Sequence, residues 1–160
     1  MNRKLPIFFA FSGLFALTAQ AAEPQTQQCH TATEQEIEGL FERWNKDLGT
    51  GDPDKVVENY APESILLPTL SNVPRRTEDE KKDYFVHFLE QKPTGKVDER
   101  MVQIDCNTAL DAGIYTFTFE DQHTVKARYT FTYRWFPEQG QWLITSHHSS
   151  AMPEIVPLLN

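Results

Sequence analysis

The sequence predicts an α+β domain in which N-terminal helices pack on one face of a curved, mostly antiparallel sheet. Apolar residues recur at helical spacing in the first half of the chain and at a spacing of two in the second half. The later segments are joined by turn-forming stretches, which makes neighbouring strands antiparallel. Helices gathered early and long strands gathered late place the helices together on the sheet, as α+β domains do.

The first residues stand apart from the fold. Arg3 and Lys4 precede an apolar run from Leu5 to Ala19 that ends in Ala19-Gln20-Ala21, the pattern of a secretory signal peptide (1–21) cut after Ala21. The run is short for a bilayer span and is interrupted by Ser12, Gly13 and Thr18. No later segment reads as a span, so no membrane association is expected once the signal is removed. A polar segment (22–32) follows, then one domain (33–154) and a short tail (155–160), a length that suits a single domain of roughly 100–200 residues. An exported chain of bacterial type would lie in the periplasm, an oxidising space where Cys29 and Cys106 are expected to form a disulfide. The formal charge is −8, and loss of Arg3 and Lys4 makes the mature chain more acidic. With no basic patch to offset that field, nucleic acid is excluded as a partner.

Thr33 and Glu36 form a capping-box pattern, after which Ile37, Leu40, Phe41, Trp44 and Leu48 give one apolar helical face that Gly49-Thr50-Gly51 ends. Asp52-Pro53 starts a short second helix carrying Val56, Val57 and Tyr60 and stopped by Ala61-Pro62. Ser64 to Pro68 reads as a strand, and Thr69 to Arg76 as a loop. Thr77 with Glu80 is a second capping box, opening a third helix with Tyr84, Phe85, Phe88 and Leu89 on one side. Four strands follow, alternating through Val102, Ile104 and Cys106; through Tyr115, Phe117 and Phe119; through Tyr129, Phe131, Tyr133 and Trp135; and along Gln141 to Ser150. The turns between them are placed at Asn107 to Gly113 and at Pro137 to Gly140.

The last strand carries the chemistry of most interest. His147 and His148 are adjacent, so one faces inward and the other outward. Alternation groups Leu143, Thr145, His147 and Ser149 on one face and Trp142, Ile144, Ser146 and His148 on the other. Both sets mix polar and apolar residues, so parity alone leaves the inner set open. Neighbouring histidines on opposite faces cannot chelate one ion, so even with His123 no metal site is expected, and no motif for another cofactor is present. Asp105 and Glu120 fall off the aromatic faces of their strands, which leaves no obvious carboxylate for acid–base work. Trp44, Tyr60, Tyr84 and Tyr115 are candidates to line a cavity, and Arg75 to meet a carboxylate ligand at its mouth. Arg128 and Arg134 share the polar face of their strand with Thr130 and Thr132, a surface suited to subunit pairing.

Trp44-Asn45 with Gly51-Asp52, LLPTLSN with Pro74-Arg75, Asp83-Tyr84-Phe85, ARYTFTY and GQWLITSHHSSAMPE together resemble the NTF2-like superfamily. Within it they are similar to the calcium/calmodulin-dependent kinase II association-domain-like and SgcJ/EcaC-like (SnoaL-like, DUF4440-type) proteins. The resemblance runs from about Thr33 to Glu154 and implies a cone-shaped fold with a pocket. It implies that His147 and Ser149 face that pocket and that His148 lies at a subunit interface. Ser149 stands where the kinase hub has an arginine after its second terminal histidine. The length leaves no room for a kinase domain, so an association label can refer only to the oligomerising module. The expected function is a self-associating, exported module that binds a small molecule. The alternative is an isomerase, dehydratase or cyclase using a pocket histidine or carboxylate, since the superfamily holds all of these.

Overall fold

The computed structural model describes residues 28–153; the expected signal peptide, most of the polar segment after it and the C-terminal tail lie outside the described residues. The elements are α1 (Glu34–Leu48), α2 (Pro53–Val57), β1 (Tyr60–Leu67), α3 (Glu78–Leu89), β2 (Thr94–Asp105), β3 (Thr108–Thr118), β4 (Thr124–Phe136) and β5 (Gln141–Ala151). They form the expected α+β architecture: helices on a five-stranded sheet of order β1-β5-β4-β3-β2, in which β1 is parallel to β5 and the other pairs are antiparallel.

Local chemistry accounts for the helix starts. Thr77 accepts a hydrogen bond from Glu80 N–H at 3.2 Å while Glu80 accepts from Thr77 N–H at 3.0 Å, so the box at α3 closes. At α1 only half of the expected box is made: Thr33 accepts from Glu36 N–H, and the Glu36 carboxylate lies 3.8 Å from His30 instead. Asp52 caps α2 as expected, accepting from Asp54 N–H at 3.0 Å.

Two boundaries differ from the sequence reading, each for a backbone reason. Tyr60 belongs to β1 rather than to the second helix, because Asn59 C=O accepts from Ile144 N–H at 2.9 Å and draws the chain into pairing with β5. Pro62 is tolerated there because β1 is an edge strand and its register breaks between Tyr60 and Ile65. The turn after β2 is also tighter than expected. Cys106 and Asn107 alone make it, Asn107 adopting the left-handed conformation (φ 57°), and β3 begins at Thr108. Gly113 is therefore within a strand, at an irregularity in its pairing with β2, where a Cβ would lie 1.9 Å from the Glu99 carbonyl oxygen.

The core lies between α1 and the inner sheet face. Ile37, Phe41, Trp44 and Leu48 pack against Tyr115, Phe117, Tyr129 and Phe131, with Trp44 and Phe131 rings 5.6 Å apart. Polar bonds fix the helix along its length. Asn45 bonds the Gly95 backbone in both directions, at 2.8 and 2.9 Å, and Arg43 donates to Asn59 Oδ1 at 2.7 Å and to Trp142 C=O at 2.9 Å. Cys29 and Cys106 are bonded, tying the segment before α1 to the β2–β3 turn. His30 then stacks on Trp135 with ring centroids 3.5 Å apart.

Candidate functional site

Strict alternation fails on β5, and the failure builds the site. Thr145 is an extra residue opposite β4: Thr132 pairs Ser146 while Tyr133 pairs Ile144. Its hydroxyl donates to Thr132 C=O at 3.1 Å, which stabilises the bulge. The side-chain phase shifts by one across it. Trp142 and Ile144, expected opposite to His147, join His147 and Ser149 on the buried side, while His148 is exposed.

A cavity of about 380 Å³ lies between α1, α3 and this buried face, within the usual range for small-molecule sites. Trp44, Tyr84, Phe85, Tyr115, Phe117 and His147 form its walls. Thr69, Leu70 and Arg75 of the loop before α3 line it too, as do His87 and His123. The loop is held by Leu66 and Arg75, whose backbones exchange two 2.9 Å hydrogen bonds, and by a bond between the Thr69 and Ser149 hydroxyls.

His147 is clamped on every side. Phe131 stacks on it at 4.0 Å, Trp44 meets it edge-on at 5.3 Å, and Tyr60 Oη lies 2.9 Å from its Nδ1. Burial, with a smaller contribution from His148, lowers its pKa to about 3, so the ring is neutral at physiological pH. Burial likewise holds the Tyr60 phenol well above its ordinary value, so Tyr60 keeps its proton. Among the described residues, that O–H has Nδ1 as its acceptor, and donating to Nδ1 leaves the ring proton on Nε2. Trp44 N–H lies near enough to favour the Tyr60 oxygen slightly, although it is outside hydrogen-bond geometry. Nε2–H of His147 is buried without a partner among the described residues. A buried donor left unpaired is costly.

Other donors surround the same space. Arg75 Nε is also buried and unpaired among the described residues, and its guanidinium lies 6.0 Å from the Tyr84 ring centre. Burial pushes Tyr84 up to about 12 and Tyr115 higher still, with the Ser149 and Thr69 hydroxyls partly opposing the shift at Tyr115. Both phenols stay protonated. The cavity thus offers neutral hydroxyls, a neutral imidazole and one guanidinium, together with the Asp83 carboxyl group that also lines it.

Of the residues singled out in the sequence, Trp44, Tyr84, Tyr115, Arg75 and His147 line the cavity. Tyr60 does not; it reaches His147 from behind and borders a separate cleft beside Lys81. Ser149 acts through Thr69 rather than as a wall residue. His148, Arg128 and Arg134 are exposed on the opposite sheet face, where Arg128 donates to Ser150 Oγ at 3.2 Å and Arg134 lies over Phe136 at 4.4 Å. Asp111, placed by the sequence reading in a turn, is fully buried on β3: it accepts from Tyr129 O–H at 2.8 Å and pairs with Arg100 at 3.2 Å. Burial raises its pKa despite those partners. Its position two and four residues before Gly113 and Tyr115, in phase with the aromatic face, is the signal that could have found it. Among the described residues no three His, Cys, Asp or Glu side chains gather as a metal site.

The family model described as the calcium/calmodulin dependent protein kinase II association domain matches residues 33–153. The chain belongs to that family. A solved association domain of this kind from Xanthomonas campestris is 42% identical, with a TM-score of 0.73 over 89% of this chain and all (100%) of that one. An NTF2-like protein of unknown function from Pseudomonas putida is 19% identical, with a TM-score of 0.67 over 81% of this chain and 100% of the other. An iota-carbonic anhydrase from a cyanobacterium, solved in complex with bicarbonate, is 18% identical, with a TM-score of 0.70 over 84% of this chain and 100% of its own. At those lower identities the similarity is one of fold. No curated protein matches the chain.

The lowered pKa of His147 makes stability depend on pH. In the unfolded chain the ring takes up a proton below about pH 6.5, whereas in the folded protein it resists until about pH 3. Its contribution is therefore complete above pH 6.5 and falls by up to about 1.4 kcal/mol per unit as pH drops between those values. Urea unfolding at pH 7 and pH 4.5 should show wild type losing about 2.5 kcal/mol more than His147→Gln. Equal losses would mean that the buried ring titrates normally.

Proposed function

We propose that this is an exported, self-associating protein whose cavity binds bicarbonate and catalyses the interconversion of carbon dioxide and bicarbonate. The observation that carries the reading is the neutral, buried His147, a cavity-lining residue whose Nε2–H has no hydrogen-bond partner among the described residues. A group held at a pKa of about 3 is a poor general base near neutrality. As a fixed N–H donor it suits an oxygen that gains negative charge, which is what an oxyanion hole supplies. That weighs against an isomerase or dehydratase using His147 as its base. The bicarbonate held by the cyanobacterial iota-carbonic anhydrase of the same fold supports this ligand class.

In the hydration direction, the apolar walls at Leu66, Phe85 and Phe117 would take up carbon dioxide. The Thr69–Ser149 hydroxyl pair and Tyr115 would orient a water against its carbon. A bond forms between the water oxygen and carbon, one C=O π pair moves onto oxygen, and the water gives up one proton. His147 Nε2–H and the Arg75 guanidinium would stabilise the oxygen that gains charge. The sum is CO2 + H2O giving HCO3⁻ + H⁺.

Stopped-flow carbon dioxide hydration by the mature protein, with and without chelator, tests the reading. His147→Ala and Arg75→Ala should each lower kcat/KM by about 100-fold or more, as loss of an oxyanion donor does. A wild-type rate at the uncatalysed background, with bicarbonate binding retained, would reduce the protein to a binding module.

Export is supported by the signal-peptide pattern at residues 1–21 and by the Cys29–Cys106 bond. Self-association is supported by the association-domain family and by an outer sheet face bearing His148, Arg128 and Arg134. Light scattering at micromolar concentration should give a dimer or larger species that His148→Glu/Arg128→Glu weakens; a monomer would end this part of the proposal.

A further inference from the structure

Hydration of carbon dioxide releases a proton beside three buried cavity groups that do not take it up: His147 stays neutral down to about pH 3, and Tyr84 and Tyr115 keep their protons. Serine and threonine hydroxyls can relay a proton but do not hold one. Fast turnover therefore needs a base at the opening. Histidine is the side chain whose ordinary titration falls near neutrality, and two histidines, His87 and His123, line the cavity.

They are not equivalent. The His87 side chain is 72% exposed, with Nδ1 3.6 Å from Glu90, a loose pair on the outside of α3. His123 sits at the end of the β3–β4 turn, immediately before β4, and is fixed from three sides. Its ring stacks on Phe119, another wall residue, at 4.3 Å and within 8° of parallel. Its backbone N–H donates to Asp121 Oδ1 at 3.1 Å, and its Nδ1 bonds the same oxygen. A carboxylate can only accept, so Nδ1 carries the proton in the neutral ring and Nε2 presents a lone pair. This is the reverse of His147, whose partner is a donor and whose Nε2 carries hydrogen.

We propose that His123 is the proton acceptor at the cavity mouth, taking on Nε2 the proton released by carbon dioxide hydration and passing it to buffer outside. The proposal rests on the carbon dioxide reading above. The electron pair of the broken water O–H bond stays on the oxygen bound to carbon, and the proton travels through cavity water to Nε2. The resulting imidazolium lies beside the Asp121 carboxylate on its own turn. Asp83 and His87 from α3 and Arg75 from the loop also line this cavity. Glu120, next in sequence to Asp121, is engaged by Lys92. A proton held on His123 then leaves to an external base, restoring the neutral ring.

Stopped-flow hydration in dilute, bulky buffer is compared with the same buffer plus imidazole. His123→Ala should lower kcat by about tenfold or more in dilute buffer, leave kcat/KM near wild type and regain kcat with imidazole. Asp121→Asn should give a smaller loss of the same kind. An active wild type whose kcat is unchanged in His123→Ala would overturn the assignment while leaving the carbon dioxide reading intact. So would a loss shared equally by kcat and kcat/KM that imidazole does not relieve. A wild type with no hydration activity would remove the reading itself, and this role with it.

Discussion

The site depends on one hydrogen bond, from the Tyr60 hydroxyl to His147 Nδ1 at 2.9 Å inside the aromatic core. Burial keeps both groups uncharged, and the bond then decides which ring nitrogen carries hydrogen. The donor role assigned to His147 follows from that choice. An imidazole with a free Nε2 lone pair would be a weak base in an apolar wall; with Nε2–H it becomes a fixed donor.

Holding the bond requires the two edges of its geometry to be fixed independently. Tyr60 is placed by the parallel pairing of β1 with β5, which starts at Asn59, and Asn59 is itself gripped by Arg43 and Asp47 of α1. His147 is placed by the bulge at Thr145, which brings Trp142, Ile144, His147 and Ser149 onto one buried face. The Thr69–Ser149 bond closes the loop over the same strand. A second polar group, Asp111 with Arg100 and Tyr129, sits under the N-terminal half of α1, where the Arg100 guanidinium lies 5.7 Å from the Phe41 ring. Phe41 and Tyr115 pack beside it, and none of its three members lines the cavity.

Much of this fold could be read from residue order, because helices and strands each leave a period in the sequence. The apolar face of α1 and the aromatic face of β4 are buried as their spacing predicts. What periodicity could not give is a change of phase. Thr145 carries no marker for a bulge, so Trp142 and Ile144 were grouped opposite to His147, and the inner histidine had to be inferred from family resemblance. A two-residue turn at Cys106-Asn107 hid Asp111 for the same reason: it moved a strand start by several residues and turned a buried carboxylate into an apparent loop residue. In the sequence Tyr60 reads as one more aromatic able to line a pocket. Its work is done from behind, through a hydroxyl, and only coordinates show which atom it touches.

The tautomer of His147 can be observed directly by long-range ¹H–¹⁵N correlation spectra of protein labelled at histidine. The account predicts a protonated Nε2 and an unprotonated, hydrogen-bonded Nδ1 that stay the same from pH 8 to about pH 4.5, with Tyr60→Phe redistributing the proton between the two nitrogens. A ring protonated on Nδ1, or one that titrates like a free imidazole near pH 6.5, would contradict it.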